Sequence, residues 1–561
     1  MNTEKELTGY PSIDKPWEKG KSFFQKHPII PSINIYSLIK QINKKNMDAP
    51  AITCHDETYT YREMLQDSVK LANALVINGI NRGDIIAICM PSYYEAAIVF
   101  LACNKIGAIF TCLNNHASIS EIQSYINLYH TPVLFTDRTD LVELLNNGVM
   151  NTVVLVKTDK LDKKKGAVHY ADYIKKGSSN WKGGITFNGK DDALILYTSG
   201  TTGKPKSVVL TNINIISSII YEKNTATDIE INVTRTLTCV PFSYPYGLIT
   251  SLITSLLWQK EAVLAPFIGM DTVQYYMSYK PNMIFGSPAL LNLIMKGIPD
   301  DFELAFVTSF VSGGDFLPAN QAEQGKVFFK KHGSSIEIGN GFGNAETVSN
   351  GSTPVGVESR PSTVGKILTG TDVMIVDPNT YEERHYNEEG LMLATGKHIF
   401  REYYHDPEAT KAAKRTINGR EYFITGTMGF IDKDGYFTLT GRQSRFYINS
   451  SLNKIYLDHV QKIVGDLNCV EACAIVKVPD KTELFVNKAY IVLKDNYKPN
   501  EEMKQTIIDK LKESPQGDES ETLKSHEIPT YIEFLDKLPL MEGSEKVDYL
   551  TLEKMAEEME K

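Results

Sequence analysis

Thr198-Ser-Gly-Thr-Thr-Gly-Lys-Pro-Lys206 is the stretch of this sequence that says most about its fold and its chemistry. It follows an apolar run, Ala193 to Tyr197, that is typical of a buried strand, and it precedes a second strand-like run, Ser207 to Asn212. Glycines let the backbone approach a ligand closely, while hydroxyls and backbone N–H groups can surround phosphate oxygens. The stretch therefore predicts a phosphate-binding loop between two strands.

This loop is not a Walker P-loop, in which four residues separate the first glycine from a Gly-Lys pair that Ser or Thr follows. Here two residues separate Gly200 from Gly203, and Pro205 follows Lys204. The plain structural alternative is a polar hairpin turn, but a hairpin does not require so many hydrogen-bond donors. The residues that we expect to contact a nucleotide phosphate are Thr198, Ser199, Gly200, Thr201, Thr202, Gly203 and Lys206.

The composition is typical of a soluble protein and argues against several functions. The chain has 561 residues, 42% of them hydrophobic, which suggests more than one domain with a sizeable core. Its net charge of −9 argues against a nucleic-acid partner, because proteins that bind nucleic acids usually carry a basic patch or stripe. The longest apolar stretch, Gly247 to Trp258, is too short to span a bilayer, and residues 1–6 lack the apolar core of a signal peptide. We therefore expect no membrane span and a cytoplasmic location.

The pattern of predicted helices and strands changes once along the chain, and this change predicts two domains. From Tyr59 onward, predicted helices and strands alternate, and this βαβ rhythm indicates a parallel sheet with helices on both faces. The pattern changes near Gly441, after which a shorter region with its own strands and helices begins. We expect a large α/β domain followed by a small α+β domain.

The loop from Thr198 to Lys206 resembles the signature of the adenylate-forming superfamily, which includes acyl-CoA synthetases, firefly-luciferase-like enzymes and the adenylation domains of peptide synthetases. The resemblance holds in order over most of the chain. It implies an α/β fold with a large N-terminal domain of βα-built sheets and helices, residues 1–441, and a small mobile C-terminal α+β lid domain, residues 442–561. It also implies that ATP activates a carboxylic acid as acyl-AMP, with release of pyrophosphate, before the acyl group passes to a thiol.

The segment Gly339-Asn-Gly-Phe-Gly-Asn-Ala-Glu-Thr347 resembles the Tyr-Gly-x-Thr-Glu motif of that superfamily. The resemblance implies that Phe342 lies against the adenine face and that Glu346 holds Mg²⁺ on the phosphates, a hard oxygen ligand for a hard cation. Ala345 replaces the Thr of the motif and removes a hydroxyl expected to contact the AMP phosphate. A second segment, Ser312 to Leu317, resembles the Gly-Gly-Ala-Pro wall of the adenine site. The residues expected around the base are Gly314, Asp315, Phe316, Gly341, Phe342 and Gly343.

The stretch from Tyr422 to Arg442 matches another superfamily motif. The resemblance implies that Arg442 contacts the ribose or phosphate, with a hinge at Ser444. Thr427 stands where the family has an Asp that binds both ribose hydroxyls. A hydroxyl accepts these hydrogen bonds less well and carries no charge, so this departure leaves the ATP affinity open.

The last motif is Leu538 to Asp548, which resembles Leu-Pro-x-Thr-x-x-Gly-Lys-Val-Asp. Lys546 then matches the catalytic lysine of the family, which bridges the attacking carboxylate and the α-phosphate. A cation in that place neutralises charge that develops in the transition state. The plain alternative is a solvated lysine near a C-terminal helix. With Glu346 and Arg442, Lys546 completes the set of predicted catalytic residues.

The acid pocket is expected between residues 240 and 345, where Pro241 to Leu248 resembles Pro-Leu-Phe-His-x-Tyr-Gly-Leu. The predicted pocket residues are Tyr244, as the gating aromatic, Tyr246 and Gly313. Relatives that activate amino acids usually carry an Asp here to pair with the α-ammonium, and no Asp occurs in this segment. We therefore expect an acid without an α-amino group, either aromatic or aliphatic.

The acceptor of the acyl group is less well determined. It is CoA or the phosphopantetheine arm of a carrier protein, and the segment from Ile448 to Ile455 departs from the family pattern that lines the path of the thiol. Among enzymes, the alternative is an amide-forming ligase that passes the acyl group to an amine. The alternative from another class is a degenerate adenylate-binding protein without efficient catalysis, which Ala345 and Thr427 suggest.

If Lys546 neutralises developing charge, replacing it with alanine should slow adenylate formation by about two orders of magnitude or more. Lys546→Ala should retain the fold, because a solvated lysine contributes little to stability. Pyrophosphate exchange and circular dichroism of the purified variant measure the two effects. Exchange at the rate of the parent protein would remove Lys546 from the mechanism.

Overall fold

The computed structural model describes most of the chain. Its described residues are 7–158, 166–181, 188–198, 206–226, 232–314, 317–349, 352–353, 360, 363–443, 445–450, 454–480, 483–512, 523–541 and 547–558. The predicted site residues that lie outside these ranges are Ser199, Gly200, Thr201, Thr202, Gly203, Asp315, Phe316, Ser444 and Lys546.

The first sheet follows the βαβ rhythm over most of its width. Its inner strands run parallel, whereas Asp192–Thr198 and Lys206–Thr211, on either side of the phosphate loop, run antiparallel. A short connection allows only antiparallel pairing, because a parallel pair requires a long crossover. In spatial order, the described strands are Glu402–Tyr403, Lys206–Thr211, Asp192–Thr198, Ile109–Cys112, Ile85–Cys89, Val133–Thr136, Thr152–Leu155 and Val168–His169.

The second sheet is parallel except for the pair at one edge, Pro50–Cys54 and Glu57–Thr60. Because parallel strands end at the same edge, the segments that follow Met283–Gly286, Ser309–Ser312 and Glu337–Asn340 emerge side by side. This is the edge where ligands bind in open α/β sheets. In spatial order, the described strands are Glu337–Asn340, Ser309–Ser312, Met283–Gly286, Arg235–Thr238, Glu261–Leu264, Pro50–Cys54 and Glu57–Thr60.

The other described sheets are largely antiparallel. In the third sheet a tight turn with Asp434 and Gly435 joins two strands, as the Asp-Gly pair predicts. The C-terminal region has its own sheet and its own hydrophobic core. The third sheet contains Asp372–Val376, Gly390–Thr395, Lys414–Ile417, Arg420–Ile431 and Phe437–Arg442; the C-terminal sheet contains Val470–Asp480, Leu484–Leu493 and Tyr531–Phe534; the two-stranded pairs are Ser352–Thr353 with Lys366–Ile367 and Phe446–Ile448 with Lys454–Tyr456.

Helices pack on the first two sheets, and the largest core cluster joins residues of both sheets and of the helices between them. Helix Tyr94–Ile106 is buried on nearly every side because its sequence is apolar all round. Helix Tyr61–Ile77 begins with a capping box, in which Thr60 and Glu63 each accept the backbone N–H of the other. The described α-helices are Pro11–Asp14, Phe23–Lys26, Ile35–Ile42, Tyr61–Ile77, Tyr94–Ile106, Ile119–Tyr129, Glu143–Asn146, Tyr170–Ile174, Asn212–Thr225, Thr254–Leu257, Val273–Ser278, Pro288–Gly297, Ala319–Lys331, Pro407–Ala412, Leu457–Gly465, Glu501–Lys512 and Tyr549–Glu558, and the 3₁₀-helices are Pro16–Glu18, Thr139–Val142 and Ala345–Thr347.

A π-helix, Tyr246–Ile253, continues directly into the α-helix Thr254–Leu257. π-Helices are rare and are frequently found at functional sites. The second residue of this one, Gly247, is in close contact with the preceding chain: a Cβ placed there would lie 2.3 Å from the carbonyl oxygens of both Val240 and Pro241. The chain can therefore enter the π-helix in this geometry only with a glycine at this position.

The C-terminal region contacts the helices of the second sheet through polar groups. Lys296 Nζ lies 2.6 Å from Glu471 Oε1, and the side-chain amide of Asn320 donates to the carbonyl oxygen of Asp466 at 2.9 Å. Polar contacts of this kind are compatible with relative motion of domains. The boundary after residue 441 and the mobility of the lid stay predictions.

The close contact at Gly247 predicts a cost for any side chain there. Gly247→Ala should lower the free energy of unfolding by about 1–3 kcal/mol, because the new Cβ forces the backbone apart. Gly269→Ala is the matched control: a Cβ there meets no atom within 4 Å, and its effect should stay within about 0.5 kcal/mol. Urea denaturation of the variants measures both changes, and equal stability of Gly247→Ala and the parent would contradict the argument.

Candidate active site

A cavity opens at the carboxyl-end edge of the second sheet. It is partly open to solvent, and the π-helix forms one wall. Thr236 and Met283, which are register partners near the amino ends of their strands, line what we call its inner end. The outer end is lined by Ser312, Gly313, Gly314, Gly341, Phe342 and Gly343.

Tyr246 fastens the π-helix to the sheet at the outer end. Its hydroxyl donates to the carbonyl oxygen of Val311 at 2.6 Å, and its ring covers Gly313, where a Cβ would lie 3.0 Å from ring atoms. Burial raises the pKa of Tyr246 well above its usual range, so the hydroxyl remains a donor. Two of the predicted pocket residues, Tyr246 and Gly313, thus line one cavity. The third, Tyr244, is not among the described residues that line it.

Glu346 is held in place by a tyrosine that the sequence analysis did not single out. The Tyr403 hydroxyl donates to Glu346 Oε1 at 2.7 Å, and both side chains are buried. Burial and the adjacent carboxylate raise the pKa of Tyr403 far above its usual range, which keeps the hydroxyl protonated. The ammonium group of Lys206 lies 4.9 Å from the centre of the Tyr403 ring. Two predicted site residues, Glu346 and Lys206, therefore lie on either side of a tyrosine that was not predicted.

The strands also bring Glu346 to the phosphate loop. Thr198 and Lys206, at the two ends of the loop, are register partners in the first sheet. The 3₁₀-helix Ala345–Thr347, which carries Glu346, contacts both of the strands that flank the loop. The remaining loop residues lie outside the described ranges, so their predicted contacts with phosphate stay predictions.

Thr427 and Arg442 face one another across the third sheet, where they are register partners. Thr427 is 4% exposed, whereas the Arg442 side chain is exposed. The backbone N–H of Arg442 donates to Asp458 Oδ2 at 2.9 Å, which links the last strand of this sheet to the first turn of helix Leu457–Gly465. The two predicted ribose-contacting residues are therefore neighbours at the junction with the C-terminal region.

Sequence reasoning missed two charged residues of the cavity. Glu222, on helix Asn212–Thr225, and Lys260, after the helix that follows the π-helix, both line it. Neither belongs to a recognisable motif. The sequence does contain a signal for the wall of the cavity, because Tyr246, Thr250 and Thr254 recur every four residues and so share one face. Glu222 lies against that face: its Oε2 accepts a hydrogen bond from Thr254 at 3.4 Å.

A family model described as "AMP-binding enzyme" matches residues 39–404, well over half of the chain. The chain belongs to the AMP-binding enzyme family. This AMP-binding enzyme is 24% identical to the long-chain-fatty-acid–CoA ligase of Bacillus subtilis (strain 168), over 94% of its own length and 95% of the relative. It is 25% identical to the luciferin 4-monooxygenase of Photuris pensylvanica, over 89% and 90% of the two chains.

Solved structures share its fold. The anthranilate CoA ligase AuaEII, determined in complex with anthranoyl-AMP, superposes with a TM-score of 0.81 at 20% identity, over 94% of this chain and 97% of that one. The predicted superfamily, the α/β fold with its smaller C-terminal domain, and the enzyme class of AMP-forming acid–thiol ligase are confirmed. No helix in the part of the AMP-binding enzyme that the structure describes is long and apolar enough to cross a bilayer.

The position of Thr427 opposite Arg442 predicts the effect of restoring the family carboxylate. Thr427→Asp should tighten ATP binding by about 1–2 kcal/mol, because a carboxylate accepts hydrogen bonds from both ribose hydroxyls. Titration calorimetry with ATP measures the dissociation constant, with Thr427→Asn as the uncharged control. Unchanged or weaker binding of the Asp variant would place the ribose elsewhere.

Proposed function

We propose that the cavity and the adjoining Glu346 cluster form the site at which this enzyme activates a carboxylic acid with ATP. The acid forms acyl-AMP with release of pyrophosphate, and the acyl group then passes to the thiol of CoA. The assignment rests on two features that lie three residues apart in the chain. Gly343 lines the outer end of the cavity, and Glu346 lies beside the strands that carry the phosphate loop.

The proposed first step is a substitution at phosphorus. A carboxylate oxygen of the acid attacks the α-phosphorus of ATP, the bond to the bridging oxygen breaks, and pyrophosphate leaves with its electron pair. Negative charge increases on the α-phosphate oxygens as the bond forms, so fixed cations lower the barrier. Lys206, Arg442 and Lys546 are the cations that we assign to this task.

Glu346 fits the role of a Mg²⁺ ligand. Mg²⁺ is usually held by one or two carboxylates together with substrate phosphates, and the described residues contain no group of three or more His, Cys, Asp or Glu that could hold a metal alone. When bound, the ion would offset phosphate charge. The Tyr403 hydroxyl occupies Glu346 Oε1 and so fixes the direction of the carboxylate.

The second step requires that the catalytic lysine leave before the thiol can enter. In it the thiol loses its proton to solvent, the sulfur attacks the carbonyl carbon of acyl-AMP, a thioester forms and AMP departs with the electron pair. We propose that the C-terminal region rotates between the two steps about a hinge at Ser444. The phosphopantetheine arm of a carrier protein presents the same thiol as CoA and is the alternative acceptor.

The substrate is expected to lack an α-amino group. An α-ammonium would lie at the outer end, next to the reacting carboxylate, and the described residues that line this end, Ser312, Tyr246, Phe342 and four glycines, include no carboxylate. A buried ammonium without a carboxylate partner is costly to desolvate. Glu222 is an acidic residue of the same cavity, but it contacts Thr254, two turns farther along the wall from Tyr246.

Acid-dependent exchange of pyrophosphate into ATP tests this function. Aryl acids or medium-length aliphatic acids should give the strongest exchange, and the twenty common α-amino acids should give little. Adding CoA with the best acid should then release AMP and form a thioester detectable by mass spectrometry. Exchange that is strongest with one α-amino acid would refute the pocket assignment, and absence of exchange with every acid would refute the proposed function.

A further inference from the structure

The inner end of the cavity carries both hydrogen-bond donors and hydrogen-bond acceptors, which is unusual for a pocket that holds an alkyl chain. Ligand pockets are mostly apolar, with a small number of polar groups that determine specificity. Here the polar lining is concentrated at the end remote from the glycines. Its members are Glu222, Thr236, Thr254, Ser255, Trp258 and Lys260.

Acceptors and donors are both present among these groups. The Glu222 carboxylate is a half-buried acceptor. The indole N–H of Trp258 is a buried donor that has no hydrogen-bond partner within the described part of the chain. Lys260 is 5% exposed, and its ammonium donates to the carbonyl oxygen of Val233 and lies 5.8 Å from the centre of the Trp258 ring.

The register of the sheet sets the length of a fitting substrate. Met283 at the inner end pairs with Ser309, and Gly313 at the outer end lies four residues after Ser309, just past the end of that strand. Four steps of about 3.3 Å correspond to about 13 Å along the cavity. An acid whose carboxylate reacts at the outer end can therefore extend its far end to Glu222 and Trp258.

The mixed lining discriminates between the groups that could occupy this end. A methyl group forms no hydrogen bond with the Trp258 N–H or with the Glu222 carboxylate, which already accepts one from Thr254. An ammonium suits Glu222 but cannot accept a hydrogen bond and faces the cation of Lys260, whereas a carboxylate suits Lys260 but is repelled by Glu222. A neutral hydroxyl donates to Glu222 and accepts from Trp258, so it satisfies both.

We propose that Glu222 and Trp258 select a carboxylic acid that bears a hydroxyl group at the end remote from its carboxylate. The inference rests on the proposed function, because it places the reacting carboxylate at the outer end of the same cavity. It makes Glu222 a specificity-determining residue.

Matched pairs of acids test the proposal by pyrophosphate exchange with the full chain. The pairs are octanoate with 8-hydroxyoctanoate and decanoate with 10-hydroxydecanoate; 10-aminodecanoate and decanedioate complete the set. In at least one pair the hydroxylated acid should have a kcat/KM about tenfold or more above that of its partner, and above those of the amine and the diacid. Equal constants within both pairs, or a preference for the amine or the diacid, would overturn the inference while leaving the proposed function intact. No exchange with any acid would overturn the proposed function itself.

Variants separate recognition from structure. The hydroxyl preference is the ratio of kcat/KM for the hydroxylated acid to that for its unsubstituted partner. Glu222→Leu removes the acceptor and should reduce this ratio by about tenfold. Glu222→Gln keeps an acceptor and should retain most of the preference. Glu337→Leu, at a partly buried carboxylate outside the cavity lining, should leave the ratio unchanged. A ratio that is the same in Glu222→Leu and in the parent would overturn the role of Glu222. Because a ratio compares two acids on one protein sample, partial unfolding of a variant does not alter it.

Discussion

The shape of the cavity depends on two close approaches at glycines, one that excludes any side chain and one that leaves little room for a Cβ. At Gly247 the chain passes so near the carbonyl oxygens of Val240 and Pro241 that no side chain fits, and this contact fixes where the π-helix begins. At Gly313 the missing side chain leaves room for the ring of Tyr246. A larger residue at Gly247 would displace the wall of the cavity, and one at Gly313 would press on the ring of Tyr246.

Much of this arrangement could be predicted because it is local in sequence. The phosphate loop is bracketed by apolar strand patterns, and strands Asp192–Thr198 and Lys206–Thr211 form on either side of it. The Asp434-Gly435 pair turns the chain back as expected, and the change of pattern near Gly441 is followed by a region with its own core. In each case neighbouring residues carry the whole signal, so a single sequence suffices.

The contacts that the sequence did not reveal join residues far apart in the chain. Tyr403 and Glu346 are separated by 57 residues and meet because the strand Glu402–Tyr403 adds to the edge of the first sheet. Glu222 reaches the cavity from a helix of the core layer, and no motif distinguishes it from a carboxylate on a solvated helix face. Such pairings follow from the order of strands in a sheet, which periodicity does not encode.

The junction between the large region and the C-terminal region restricts how the two can be rearranged. On one side, the backbone N–H of Gln443 donates to the carbonyl oxygen of Gly426 at 2.8 Å; on the other, Arg445 pairs with Asp458 and donates to the carbonyl oxygen of Ile475. Two residue steps, about 7 Å of extended chain, separate these anchors. If the C-terminal region rotates as proposed, so short a connection keeps its point of attachment almost stationary. In such a rotation, the displacement of each residue grows with its distance from the point of attachment. Residues near Arg445 would move little, and those farthest from it would move most.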